Sequence, residues 1–506
     1  RDVERSRGLG DVYKRQLISY FNIAFYIVTG LFYTPLLVKT LGLSDYAIFS
    51  LVVSLVGYFS IDFGVGAAQT RYIAKLLAEG RRQKIYDLLG ITNKIFSLID
   101  FIIIIILIIV YLYADKIFTG FTPEEFIRFR EVFIITAVFV MINVPLLPTN
   151  GIIIGFDRAY ELALINTSYR VASMTFLFIA LLINLGLLWI VIINVGCQLL
   201  AQIYKMVFIV NKENLKINLN AHDKEILTYL SNFSMWATLG VIADKFFFGI
   251  IPFLLAIVSN SNEIAIFAIV ISIEGYTLSV SKALNGIFLP RIAKMVTDNT
   301  PQIEITKLMI RVGRIQLYVV GLIIFGVVYF GKDFLYLWLG DGFEKSYYCL
   351  ILVLTPCLFH LTQTIAEETL LATNNIKYRA LANCIGSVLS VVSIFLLGRE
   401  IGALAAGLGV FLSFVLAHNV LIDFFYHRKL GISIIAFLKE CQLKIIPIFC
   451  ISGIAVLGIH WFIPTTNIVS FITKISIWSI ITVILLWILA FSVEEKHLIK
   501  SFFKIK

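Results

Sequence analysis

The sequence predicts an all-α polytopic membrane protein with about 14 transmembrane helices. The expected architecture is two six-helix lobes related by pseudo-two-fold symmetry, plus a C-terminal helix pair. Three observations predict it. The first is composition: over 506 residues, 59% are hydrophobic and 15% charged, against about 45–50% and about 25% in ordinary globular proteins. The mean hydropathy is +0.92. The second is continuity: runs such as that at 101–112 are uninterrupted, whereas the strands of a membrane barrel alternate apolar and polar residues. The third is an internal repeat. Together these exclude a soluble enzyme, a disordered chain, a nucleic-acid module and a disulfide scaffold.

Residues 1–16 are polar and read as a non-native or disordered tail. Twelve apolar runs then follow near 17–40, 44–66, 88–113, 130–149, 161–184, 187–210, 226–256, 262–285, 312–330, 346–369, 376–397 and 401–425, with two more at 443–463 and 467–491. Helices are required because hydrocarbon offers the backbone no hydrogen-bond partner. The expected division is an N-lobe at 17–210, a cytoplasmic linker at 211–225, a C-lobe at 226–427, a second cytoplasmic linker at 428–442, and the last two helices with a basic tail at 443–506.

The net charge of +10 is explained by loop placement, not by a nucleic-acid partner. With the N-terminus inside, inner loops hold about twenty basic residues, Arg71, Lys75, Arg81, Lys212, Arg291 and Arg314 among them, and outer loops about seven. The alternation persists along the chain and predicts cytoplasmic termini in a bacterial inner membrane. The six cysteines form no CxxC pair and the six histidines no ligand spacing, so neither a metal nor another cofactor is expected.

The repeat is AIFSLVVSLVGY at 47–58 against AIFAIVISIEGY at 265–276. Seven positions match, from Ala47 with Ala265 to Tyr58 with Tyr276, at a shift of 218. Asp115 faces Asp333 and Tyr160 faces Tyr378 at the same shift. Six spans return the chain to one side, so the two lobes are expected to be parallel repeats able to rock about a polar cavity.

The segment Pro35-Leu36-Leu37-Val38-Lys39-Thr40-Leu41-Gly42, then Tyr46 and Asp62-Phe63-Gly64-Val65-Gly66, resembles the opening of bacterial polysaccharide transporters. Leu289-Pro290-Arg291-Ile292-Ala293-Lys294 and Trp338-Leu339-Gly340 resemble its second-lobe counterparts. That family includes O-antigen flippases and belongs to the multidrug, oligosaccharidyl-lipid and polysaccharide exporter superfamily. The resemblance implies a non-enzymatic flippase that carries an undecaprenyl-pyrophosphate-linked glycan across the membrane by alternating access. Membrane lipids, a coupling H+ or Na+ and other polysaccharide-assembly proteins are the implied partners. An ion-coupled multidrug exporter or a lipid II flippase shares the architecture. A membrane glycan polymerase or acyltransferase would need larger outer loops or an intramembrane catalytic pair.

A phosphate-bearing head group needs a polar, cationic path through the bilayer, so intramembrane charges are the candidates. Arg71, Arg170, Lys245 and Lys282 are the expected substrate-binding residues; an arginine offers phosphate a two-pronged donor fork. Asp244, on one helix face with Trp236 and Gly240, and Glu274 are the expected ion-coupling acids. Glu274 aligns with Val56 in the repeat, so the lobe fold itself does not call for it. His360 and His418 are expected to bond neighbouring helices.

Overall fold

A computed structural model of the chain describes residues 2–283, 288–298, 300–373, 375 and 377–497. The described residues form helices and short connections, without a strand. Eleven helical stretches among them are long and apolar enough to cross a membrane. One of these, Leu17–Phe59, is 43 residues long. At about 1.5 Å per residue it would reach roughly twice the ~30 Å hydrocarbon core. Gly42 resolves this: at φ 79° and ψ 170° it leaves helical geometry, and the stretch becomes two crossings. Counting those two, and adding helices that are kinked or carry more charge, agrees with the expected fourteen or so.

The chain divides into two compact units, Arg1–Ala268 with Val391–Gly402, and Ile269–Ser390 with Ala403–Lys506. The first contains α1 (Asp2–Phe59), α2 (Val65–Ala78), α3 (Arg82–Leu112), α4 (Ala114–Ile117), α5 (Pro123–Asn143), α6 (Thr149–Gly155), α7 (Ala159–Leu182), α8 (Leu187–Glu213), α9 (Lys224–Val258) and the start of α10 (Ser261–Ala283).

Two of its crossings are broken. The run expected at 44–66 ends at Phe59 and restarts as α2, carrying the helix on to Ala78. Phe63 and Gly64, at φ 51° and 68°, make the break. The Asp62 carboxylate accepts from the Gly64 N–H at 3.1 Å, and Thr238 donates to the Phe63 carbonyl at 2.5 Å. The run expected at 130–149 starts earlier, at a capping box in which the Glu125 carboxylate accepts from the Thr122 N–H at 2.8 Å. It passes through a tight turn, Val144–Leu146, that contains Pro145 and is followed by Pro148. Proline removes a donor and clashes with the preceding turn, so the helix cannot continue. It resumes as α6.

The halves α2 and α6 then pack closely. Gly66 meets Gly151, where an added Cβ would lie 2.6 Å from the Gly66 Cα. Thr70 seals the crossing by donating to the Gly151 carbonyl at 3.0 Å. Small residues allow such approach where no hydrophobic force drives helices together.

Glu125 also holds three crossings at one end of the unit. Besides its own cap it accepts from Ser44 at 2.6 Å and Ser261 at 2.5 Å, the latter at the start of α10. It is buried, and this donor set replaces the water it gave up.

The second unit continues from α10 through α11 (Leu289–Thr297), α12 (Gln302–Leu339), α13 (Glu344–Leu354), α14 (Cys357–His360), α15 (Thr364–Ala372) and the part of α16 (Lys377–Ile401) before Val391, the rest of α16 belonging to the first unit. After these come α17 (Ala403–Ser413), α18 (Ile422–Leu430), α19 (Ile434–Phe437), α20 (Leu443–Phe462) and α21 (Ile468–Leu489). It repeats the pattern: α13–α15 is one crossing interrupted near Pro356 and again at 361–363, and α11 packs on α15 as α2 packs on α6.

The last two crossings are fastened to α12 within this unit. Arg314, which the sequence groups with the loop cations, is instead buried in α12. Its guanidinium grips both Glu495 oxygens, at 2.8 and 2.9 Å, and donates to the Glu440 and Ala490 carbonyls and the Tyr318 hydroxyl. At the other end Lys474, also buried, meets Asp333 at 3.5 Å and His460 at 3.1 Å. Between them the Trp478 indole donates to Ser452 at 3.1 Å. An added Cβ on Gly321 would touch the Phe449 ring at 2.5 Å.

Gly151→Val is expected to cost about 1–3 kcal/mol or more by overpacking, seen as a lowered Tm of the detergent-solubilised protein. Gly57→Ala, where an added Cβ meets nothing within 4 Å, is expected to stay within about 0.5 kcal/mol. Burial pushes the Glu495 carboxyl up, but the hydrogen bonds from Arg314 and Ser492 outweigh it and hold the group below its usual range. Its stabilisation is therefore complete above the ordinary carboxyl value of about 4.3 and lost as pH falls through the lower folded value. Glu495→Gln is expected to destabilise by about 3–5 kcal/mol at neutral pH, with the gap from wild type closing on acidification. A gap independent of pH would show that the ion pair contributes nothing.

Candidate functional site

The polar groups inside the membrane helices gather beside the helix breaks. In the first unit the sequence alone does not single out the most telling one. Lys205 lies on the buried face of α8 with Val195, Gln202 and Ile209. Only 6% of it is exposed. Its ammonium donates to Gln202 at 2.8 Å, and no acid pairs with it among the described residues. Gln202 in turn donates to the Leu146 carbonyl at 3.4 Å, inside the α5–α6 break. An insertion cost of about 2.5–3.5 kcal/mol attaches to a lysine at mid-helix. A neutral amide is a poor counterweight to that cost. The signal in the sequence is a Gln and a Lys three residues apart in an otherwise apolar run.

Next to the same break, Gln69 is wholly buried and, among the described residues, neither atom of its amide finds a partner. It borders a small cavity of about 30 Å³ with Thr92, Pro145, Pro148 and Thr149. Such a space suits one or two waters, at about 10–15 Å³ each. The Asn143 amide oxygen, also buried, is likewise unpartnered.

The predicted cations of this unit stand on separate helices. Arg170, on α7, is exposed; it donates to the Asn22 carbonyl at 3.4 Å and its guanidinium lies 6.0 Å from the Tyr26 ring centre. Arg71 is exposed on α2 and Lys245 is exposed on α9. The side chains of Asp244 and Trp236, and the surroundings of Gly240, lie outside the described residues.

A groove of about 590 Å³ runs between α7 and α8, with Ser168, Tyr169, Cys197 and Tyr204 among its walls and Glu161 near one end. Just beyond that end, Arg158 bridges Glu161 at 3.2 Å and Glu213 at 2.7 Å. The hydrogen bond to Glu213 holds its guanidinium above the usual value.

In the second unit, Glu274 sits midway along α10 and is 6% exposed. Among the described residues its carboxylate makes no hydrogen bond; it feels the ammonium of Lys282, which is itself exposed. Thr277 and Ser281 share its face. Thr277 bonds back to the Ile273 carbonyl, while Ser281 donates to the Leu361 carbonyl at 3.0 Å and so ties α10 to the break after α14.

Beyond this pair the structure assembles residues that the sequence leaves scattered. His360 and His418 stand edge to face with ring centres 4.7 Å apart, flanked by Phe414. Gln363 donates to Asp423 at 3.2 Å, and the other Asp423 oxygen is buried without a partner. Arg379 pairs with Glu367. Glu274 and the two histidines thus form a largely buried polar cluster in this unit, with Lys282 and the Arg379–Glu367 pair at its more exposed edge.

Comparison with known proteins agrees with this architecture. The profile of the polysaccharide biosynthesis protein family (Polysacc_synt) matches residues 17–296, more than half of the chain. No curated protein matches the sequence. Among solved structures, the chain is similar to "Lipid II flippase MurJ, inward closed conformation", with TM-score 0.66 and 15% identity, covering 93% of this chain and 97% of that one. It is also similar to an inward-facing multidrug resistance MATE family transporter of the MOP superfamily, with TM-score 0.57 and 15% identity, covering 84% and 99%. A third is a point mutant of the Vibrio cholerae MATE transporter VcmN, with TM-score 0.54 and 13% identity, covering 83% and 97%. At these identities the likeness is one of fold. The chain is a member of the polysaccharide biosynthesis protein family, built on the multi-pass helical fold that MurJ and the MATE transporters share.

Proposed function

We propose that this protein is a flippase for an undecaprenyl-pyrophosphate-linked oligosaccharide in a bacterial inner membrane, serving cell-surface polysaccharide synthesis. The head group crosses by alternating access along a wet polar path while the prenyl tail stays in lipid. The observation that carries this reading is electrostatic. Two cations in membrane helices of the first unit, Arg170 and Lys205, have no acid partner among the described residues. An anionic cargo supplies the missing countercharge. A cationic drug would be repelled.

In this reading Arg71 guides the head group at the cytoplasmic rim, and Arg170, Lys245 and Lys282 contact pyrophosphate. Lys205 joins them when the α5–α6 break opens. Glu274 and Asp244 couple transport to H+ or Na+. Glu274 supports that role because its buried carboxylate lacks hydrogen-bond donors among the described residues and can take a proton or a cation. The basic inner loops support cytoplasmic termini, and the division 17–210, 226–427 and 443–506 describes the lobes and the added pair. Glu274 also favours a second reading, an ion-coupled exporter of cations; charge of the cargo separates the two.

The test is flipping of a fluorescent lipid-linked oligosaccharide in proteoliposomes, with complementation of a flippase-deletion strain. Arg170→Ala and Lys205→Met are each expected to slow flipping about tenfold, the loss of roughly 1.4 kcal/mol, at unchanged membrane insertion. Normal rates in both variants would end the anionic-cargo reading. Glu274→Gln is expected to abolish the dependence of flipping on an imposed ion gradient while leaving downhill flipping in place. A retained dependence would remove Glu274 from coupling.

A further inference from the structure

The first unit also holds an apolar void, whose lining differs from the polar surroundings of the α5–α6 break. It measures about 560 Å³ and is walled by Phe59, Ile61 and Phe63 from the α1–α2 break, Ile103 and Leu107 of α3, and Phe253 of α9. Apart from the Tyr58 hydroxyl, every lining side chain is Ile, Leu, Val or Phe. A single hydroxyl falls short of the two to four polar partners that an ordered water needs, so the void favours hydrocarbon over water. The void is not sealed. Two of its wall residues, Ile102 and Ile106, are 51% and 42% exposed. They continue into an exposed aliphatic face of α3 that includes Phe101, Ile105 and Ile109. In a membrane-crossing helix that face meets lipid, so the mouth opens directly onto bilayer hydrocarbon.

Three of the wall residues belong to the strained break itself. Phe63 holds φ 51°, a left-handed conformation that is an outlier for a bulky side chain and persists only where its surroundings impose it. Thr238 fixes its carbonyl from α9, and its ring lines the void. A chain of hydrocarbon in the cavity would press on Phe59 and Phe63 and add a second support to the one that Thr238 supplies.

We infer that this cavity is an intramembrane lipid site, in which one acyl chain of a bilayer phospholipid enters past Ile102 and Ile106 and props the break between α1 and α2. The occupant is a bilayer lipid and not the isoprenoid tail of the cargo for two reasons. Among the described residues no charged side chain lines the cavity, so nothing there holds the pyrophosphate that would have to accompany a cargo tail, and phospholipid is the hydrocarbon in excess at the opening. The inference does not depend on the identity of the cargo.

The test is photolabelling of the full chain in nanodiscs of phosphatidylethanolamine and phosphatidylglycerol, with a diazirine near the end of the phosphatidylglycerol acyl chain. Adducts are expected on the peptides spanning 55–63 and 99–110. Leu107→Trp, whose indole intrudes into the void and obstructs entry of a chain, is expected to reduce them about tenfold. Labelling at the exposed Ile454 and Leu457 of α20 serves as the reference and stays constant. Should Leu107→Trp fail to fold, Ile106→Trp at the mouth makes the same comparison. Equal labelling of the cavity peptides in wild type and both variants would overturn the inference. Loss of the label on adding equimolar undecaprenyl phosphate would overturn it too, by showing an isoprenoid site.

Discussion

Every backbone N–H and C=O in hydrocarbon must find a partner inside the protein, and the cost of failure is several kcal/mol per group. This chain nevertheless interrupts at least three of its crossings among the described residues. Each interruption frees carbonyls and amides that side chains must then serve. Asp62 and Thr238 serve the break at 60–64. Gln202 serves the one at Val144–Leu146. Ser281 and Asn419 serve the carbonyls of Leu361 and Pro356. The polar residues of the membrane interior are thus placed first by backbone demand. Some of them keep hydrogen-bonding capacity that the backbone of the described residues does not use.

The two units use that leftover capacity with opposite sign. In the first, Lys205 and Arg170 are cations supported by neutral oxygens, and Gln69 and Asn143 retain unused amide atoms. In the second, Glu274 and Asp423 are acids with few donors, while the strong pairs, Arg379 with Glu367 and Arg314 with Glu495, are closed on themselves. A closed pair holds helices together; it has nothing to offer a cargo. The distinction separates charges spent on packing from charges without an opposite partner among the described residues better than position in the sequence does. Arg314 shows why: it sits in a basic stretch, yet its donors are consumed by the α12–α20–α21 fastening.

Hinges and fillers complete the picture. Gly66 and Gly151 let α2 and α6 touch, so the half-helices beyond the two breaks pack directly on each other. The apolar void beside Phe63 borders the α1–α2 break and opens to lipid. Hydrogen-bonding side chains and apolar space therefore meet at the same short segment: Asp62 and Thr238 hold the backbone of residues 60–64, and the side chains of Ile61 and Phe63 line the void.

Hydropathy alone determined that the chain is helical and membrane-embedded, and the 218-residue repeat marked the equivalent crossings in its two halves, because both are properties of residue order that hydrocarbon reads directly. The same reading placed Glu274 at mid-helix. It did not reveal that the crossings at 44–66, 130–149 and 346–369 are broken, since an apolar run looks the same whether or not a turn interrupts it; Pro145, Pro148 and Pro356 were the available hints. Nor did it distinguish Lys205, buried beside the α5–α6 break, from Arg314, paired across 181 positions with Glu495. Whether a charge is spent or available depends on which distant side chain stands opposite it. That is settled only when helices pack, because electrostatic partnership acts over a few ångströms in space and leaves no periodicity in the sequence.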